Sequence, residues 1–147
     1  MSNSSVTQAH FVARINEKVL KNHVRFLGVL TASAKWQAYQ DADIFCFPTF
    51  FVSESFGRVA VEAMSFSLPV VATAWRGLAD VVTDEVGIIV PIQDPVALSA
   101  ALSALIHDPE RRVKLGEAGR RRYLELFTMK QFERKLGDAL SSLRNHE

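Results

Sequence analysis

Cysteine is almost absent from this chain of 147 residues: Cys46 stands alone in an apolar segment, so no disulfide can form within the chain. A reduced, cytoplasmic setting is expected, with peripheral attachment to a membrane left open. Charge of one sign is also lacking, since 17 basic and 16 acidic residues leave a net charge of +1, which argues against an extended nucleic-acid surface. Histidine is sparse, and His10, His23, His107 and His146 lie too far apart in sequence to suggest a zinc site. No apolar run approaches the length of a membrane span, and the polar start MSNSSVTQ has no apolar core of a signal peptide. Neither a Walker-type phosphate loop nor a nucleophile with a paired histidine is present, which sets those enzyme classes aside.

What remains is the composition of an ordinary globular chain, 48% hydrophobic and 22% charged. Its length is that of one domain or of a piece of a larger one, and residues 1–147 are read as a single partial domain with a flexible start over 1–10. After a moderate helix signal over 6–21, Val24–Leu27, closed by Gly28, reads as a short buried strand. Thr31 can cap a helix to about Gln40, and Ile44–Phe47 is an apolar strand stopped by Pro48. A helix of about three turns opens at Ser55–Gly57, and a strand follows at Pro69–Ala72. A turn around Gly77, a short helix near Ala79–Thr83 and a strand at Gly87–Val90 come next. Asp94–Pro95 and Asp108–Pro109 each place a cap before a first-turn proline, and Thr128 begins a final helix over 128–143, so the last third is helical. Strands that are apolar throughout and alternate with helices predict a Rossmann-like α/β fold, a parallel sheet with helices on both faces. Ligands of such sheets bind beyond the carboxyl ends of the strands, and Gly28, the loop Thr49–Gly57 and the turn Trp75–Gly77 are expected to meet on that rim.

The stretch that the rest serves is Glu54–Thr73, ESFGRVAVEAMSFSLPVVAT. Glu62 is the one acid among Val59, Ala60, Val61, Ala63, Met64 and Phe66, and a carboxylate there is costly to bury without a partner. A simple explanation is pairing with Arg58 one turn earlier. Glu54 precedes the helix opening, where an acid suits the macrodipole whatever else it does. Ser55, Phe56 and Gly57 offer unpaired N–H groups at the positive end of the helix, the setting in which phosphates bind. Asp41 and Asp43 form a D-x-D, which in some sugar-transferring enzymes holds a metal, but they fall at the amino end of the sheet, away from the expected rim, and read instead as a helix terminus and turn. Arg120, Arg121 and Arg122 share a helix with Glu110, Glu117 and Glu125 and read as a solvated face. Trp75 serves equally well as core packing or as the wall of a sugar or base pocket.

Taken in order and spacing, VRFLG at 24–28, YQDADIFCFPT at 39–49, ESFGRVAVEAM at 54–64, LPVVAT at 68–73 and GIIVP at 87–91 resemble the carboxyl-terminal donor-binding domain of GT-B glycosyltransferases. These are retaining, nucleotide-sugar-dependent enzymes with two Rossmann-like domains, and the similarity is to the glycogen synthase and bacterial mannosyltransferase group, whose mark is E-x7-E, here Glu54 and Glu62. The resemblance implies that Glu54 faces the donor sugar and acts in catalysis, and that Glu62 holds the ribose. It also implies that the backbone from Phe56 through Gly57 and Arg58 to Val59 takes the diphosphate and sugar, while Phe26, Leu27 and Gly28 edge the base. No metal or other cofactor is required by that scheme. Four departures stand out: two strands that open the family's domain, with a Gly-rich turn and an Arg and Lys clamp, have no counterpart, nor does the acceptor domain. Ser67 replaces a usual glycine, and Arg76 replaces the first of a common Gly pair. The sheet is therefore expected to be incomplete, with Val24–Leu27 either paired to 44–47 or unpaired. The expected function is donor binding for glycosyl transfer, inactive in this chain by itself. Expected partners are a nucleotide-sugar donor, an acceptor-binding domain or partner chain, and a second copy through the sheet edge or the final helix. A reading from another class is a non-catalytic interaction module derived from such a domain; a sugar-nucleotide epimerase and a flavodoxin-like receiver fit the residues less well.

Overall fold

A computed structural model of the chain describes residues 13–15, 20 and 22–144. The chain divides into two compact units, 1–35 and 36–147. In the first, Arg14 and its neighbours are helical, and Leu20 donates its amide to Ile15 O at 3.0 Å. The rest of the helix expected over 6–21, and the start 1–10, lie outside the described residues. Val24–Leu27 is not a strand, contrary to expectation. Strand residues need a neighbouring chain for their N–H and C=O groups, and none of the three strands pairs with this segment. Phe26 is accordingly 46% exposed and Leu27 45%.

Helix α1, Ala32–Gln40, leads from the first unit into the second. There β1 (Phe45–Phe47), α2 (Arg58–Ser65), β2 (Val70–Thr73), α3 (Leu78–Val81), β3 (Gly87–Val90), α4 (Pro95–Ile106), α5 (Pro109–Leu126) and α6 (Met129–Arg144) follow. The strands form one parallel sheet in the order β1-β2-β3, with Phe45 opposite Val70 and Val70 opposite Gly87. This is the α/β architecture and helical last third that the alternation of elements predicts.

The central strand shows why the sheet is covered on both sides. All four residues of β2 are buried, and successive side chains point to opposite faces. Val70 and Ala72 join Ala60, Ala63, Met64, Leu78 and Val81 in one cluster; Val71 joins Val90, Ala101, Leu105 and Leu115 in the other. Helix α2 has eight residues, shorter than the expected three turns, because Phe66 and Ser67 turn their amides back to Ala63 O and Met64 O and Ser67 takes φ 59°. That left-handed termination is the role a glycine usually fills. Gly116 and Gly119 of α5 lie against this corner; a Cβ at Gly116 would stand 2.0 Å from Ser67 O.

Two of the three arginines that read as a solvated face, Arg120 and Arg122, have partners, and so does Arg112 of the same helix. Arg120 donates to Ser65 O at 2.6 Å and Arg122 to Asp80 O and Val81 O at 2.7 and 3.1 Å, while Arg112 reaches Leu105 O and Ile106 O. These carbonyls lie at the carboxyl ends of α2, α3 and α4, where cations are stabilising. Both aspartate caps form as expected: Asp94 accepts the amides of Val96 and Ala97, and Asp108 that of Arg111. No helix among the described residues is long and apolar enough to cross a membrane.

Candidate functional site

The rim at the carboxyl ends of the strands is built from two connections, β1 to α2 and β2 to α3. Thr73, the last residue of β2, donates its hydroxyl to Thr49 O, and Thr49 Oγ1 in turn accepts the Phe51 amide at 3.2 Å. Trp75 donates its indole N–H to Phe51 O at 2.9 Å. The ring thus ties the turn to the loop, and it also packs against the core. Gly77 completes the junction: its φ is an ordinary −72°, but a Cβ there would stand 2.7 Å from Ser55 O. A cavity of about 180 Å³ opens beside this junction, lined by Phe50, Thr73, Val90, Pro91 and Asp94 among others. The loop Thr49–Gly57 and the turn Trp75–Gly77 therefore meet as expected; Gly28, with φ 68°, belongs to the first unit, as do Phe26 and Leu27.

Helix α2 starts from Gly57, whose φ of 78° is left-handed. A side chain is excluded twice over, by that backbone conformation and by Leu78 Cδ2, 2.4 Å from where a Cβ would lie. Glu54 Oε1 accepts the Gly57 amide at 2.8 Å, so a carboxylate already sits at the positive end of the helix. The Arg58 and Val59 amides have no acceptor among the described residues. Phe56 turns its ring edge-on to Phe127, at 5.9 Å between centroids.

Glu62 lies five residues into the helix and is half-buried. Tyr39, which has no sequence signal linking it to the helix, donates its hydroxyl to Glu62 Oε2 at 3.1 Å. The Tyr39 ring is buried and stacks on Phe66 at 5.4 Å. Burial first, and the adjacent Glu62 carboxylate second, push the Tyr39 hydroxyl well above the ordinary tyrosine range. The Cys46 thiol in β1 is likewise raised, by burial. Asp41 accepts from Gln37 Nε2 at 2.7 Å at the end of α1, the helix terminus its position suggests.

Comparison with known proteins decides the family. A sequence profile described as Glycosyl transferases group 1 matches residues 6–122. The chain belongs to this family. It is 43% identical over 108 residues to the phosphatidyl-myo-inositol mannosyltransferase of Mycobacterium leprae, covering 71% of this chain and 29% of that protein. To the D-inositol 3-phosphate glycosyltransferase of Salinispora tropica it is 40% identical over 103 residues, 69% of this chain and 21% of the relative. The chain thus spans less than a third of the length of these curated relatives. Among solved structures, sucrose-phosphate synthase from Thermosynechococcus elongatus superposes with a TM-score of 0.80 at 31% identity, over 95% of this chain and 35% of that one. Anabaena Alr3699/HepE in complex with UDP-glucose superposes at 0.82 with 23% identity, over 95% and 38%. The fold is that of a GT-B glycosyltransferase's carboxyl-terminal domain.

Proposed function

We propose that this glycosyltransferase domain binds a nucleoside-diphosphate sugar and supplies the donor side of a retaining glycosyl transfer. The observation that carries the reading is the entrance of α2. Glu54 is pinned by the Gly57 amide while the next two amides, of Arg58 and Val59, are unengaged at the carboxyl ends of a parallel sheet. When the glycosidic bond to the diphosphate breaks, the electron pair stays on the departing phosphate oxygen. Fixed N–H dipoles at a helix start stabilise that charge without having to reorganise. In this reading the backbone from Phe56 to Val59 holds the diphosphate, and Glu54, held at a fixed distance from the amides, presents its carboxylate to the sugar hydroxyls. Glu62, oriented by Tyr39, takes the ribose. The solved complex of Alr3699/HepE with UDP-glucose supports the fold's capacity for such a donor. No metal is needed, because the charge is met by backbone dipoles.

The relatives named above act, by their names, on a phosphatidyl-inositol and an inositol phosphate. An inositol-bearing acceptor is the corresponding reading for the whole enzyme, in which an acceptor-binding domain or partner chain completes the site. The chain of 147 residues alone is then a donor binder that does not transfer. Calorimetric titration with UDP- and GDP-sugars tests this. Glu62→Ala is expected to weaken binding at least tenfold, about 1.4 kcal/mol, and Tyr39→Phe, which keeps the carboxylate, by much less. Binding that Glu62→Ala leaves unchanged would sink the assignment.

One observation favours a second reading, an interaction module. Met129, Phe132, Leu136, Leu140 and Leu143 form an exposed stripe along α6. A stable dimer, or a stable complex with a separate chain, without any affinity for nucleotide would favour it.

A further inference from the structure

Arg76 stands on the rim in a conformation that its residue type resists. Its φ is 46°, the left-handed region that favours glycine, while the adjacent Gly77 has an ordinary φ of −72°. The turn therefore spends its glycine on close approach to Ser55 O and leaves the strained position to an arginine. Backbone strain of this kind persists where surrounding contacts hold it in place, and it gathers at ligand sites. The contacts are visible: the guanidinium lies 5.5 Å from the centroid of the Trp75 ring, and Trp75 is hydrogen-bonded to the loop that carries Glu54. Arg76 is exposed and makes no ion pair with a described residue. An exposed cation thus rests on an aromatic ring whose indole N–H is bonded to the connection that leads into α2.

We infer that Arg76 pairs with the diphosphate of the nucleotide donor and stabilises its departure. This rests on the donor-binding reading and adds to it a positive charge held on the Trp75 ring. In the transfer, the bond between the sugar's anomeric carbon and the phosphate oxygen breaks. The electron pair stays on that oxygen, and the guanidinium donates hydrogen bonds to the more highly charged product without itself changing protonation.

Glycine at position 76 separates charge from strain, because it removes the guanidinium and accepts the backbone angle. Isothermal titration of the full chain with UDP, UMP, GDP and GMP, beside thermal melts, reads both. Arg76→Gly is expected to lower diphosphate affinity tenfold or more, collapse the preference for diphosphate over monophosphate, and raise the melting temperature. Arg76→Lys is expected to recover part of the diphosphate affinity, since it restores the charge but not the fork. Wild-type diphosphate affinity and selectivity in Arg76→Gly would overturn the inference while leaving donor binding standing. Failure of the wild-type chain to bind any of the four nucleotides would remove both.

Discussion

At the scale of single residues, the informative pair is Tyr39 and Glu62. A carboxylate in an apolar helix must find a donor, and the donor is a tyrosine 23 positions away on another helix. Because the folded environment holds the Tyr39 hydroxyl neutral, its stabilisation is complete below the ordinary tyrosine value of 10.0 and is lost as pH rises above it. A phenolate absorbance step well above pH 10 is therefore expected, accompanied by loss of structure and absent in Tyr39→Phe. Ser67 offers a separate check. It sits at φ 59°, where glycine adopts the angle freely, so Ser67→Gly is expected to raise stability by about 0.5–1 kcal/mol in denaturant unfolding. Cys46 is half-buried with its thiol raised by burial, and slow labelling by a thiol reagent at neutral pH follows until the sheet opens.

At the scale of elements, the entrance of α2 is held by packing from behind. Leu78 of α3 presses on Gly57, and α5 closes on the other end of α2 through Gly116, Gly119 and Arg120. A methyl group at position 116 would meet the Ser67 carbonyl, which is backbone and cannot rotate away. Gly116→Ala is thus expected to cost about 2–4 kcal/mol of stability, measurable as a shift in the urea midpoint, because two helices must separate to admit it. The arginines of α5 show why a charge run reads poorly from sequence. Alternation with glutamates suggests a solvated face, yet Arg120 and Arg122 reach carbonyls at helix ends that lie 55 and 41 or 42 residues back along the chain.

At the scale of the whole chain, the exposed apolar stripe of α6 is the surface on which a partner is expected. An acceptor-side domain and a second copy both fit the expectation drawn from the sequence, and light scattering separates them. Phe132→Ser with Leu136→Ser is expected to leave the melting temperature of 36–147 nearly unchanged, since both side chains are exposed, and to abolish any self-association. The sequence by itself determined the elements whose signals are local. Asp-Pro caps, apolar runs of strand length and helical spacing are read within a few residues, and so are the alternating architecture and the glycine-led opening of α2. It also singled out Glu62, because a carboxylate among apolar neighbours stands out wherever it folds. Tertiary structure decided what those signals meet. It left Val24–Leu27 outside the sheet, paired Tyr39 with Glu62, turned Trp75 into the tie between two loops, and put Arg76 on that ring. Each of these outcomes is a contact between segments far apart in the chain or a backbone angle imposed by such contacts, and neither has any local signature for the sequence to carry.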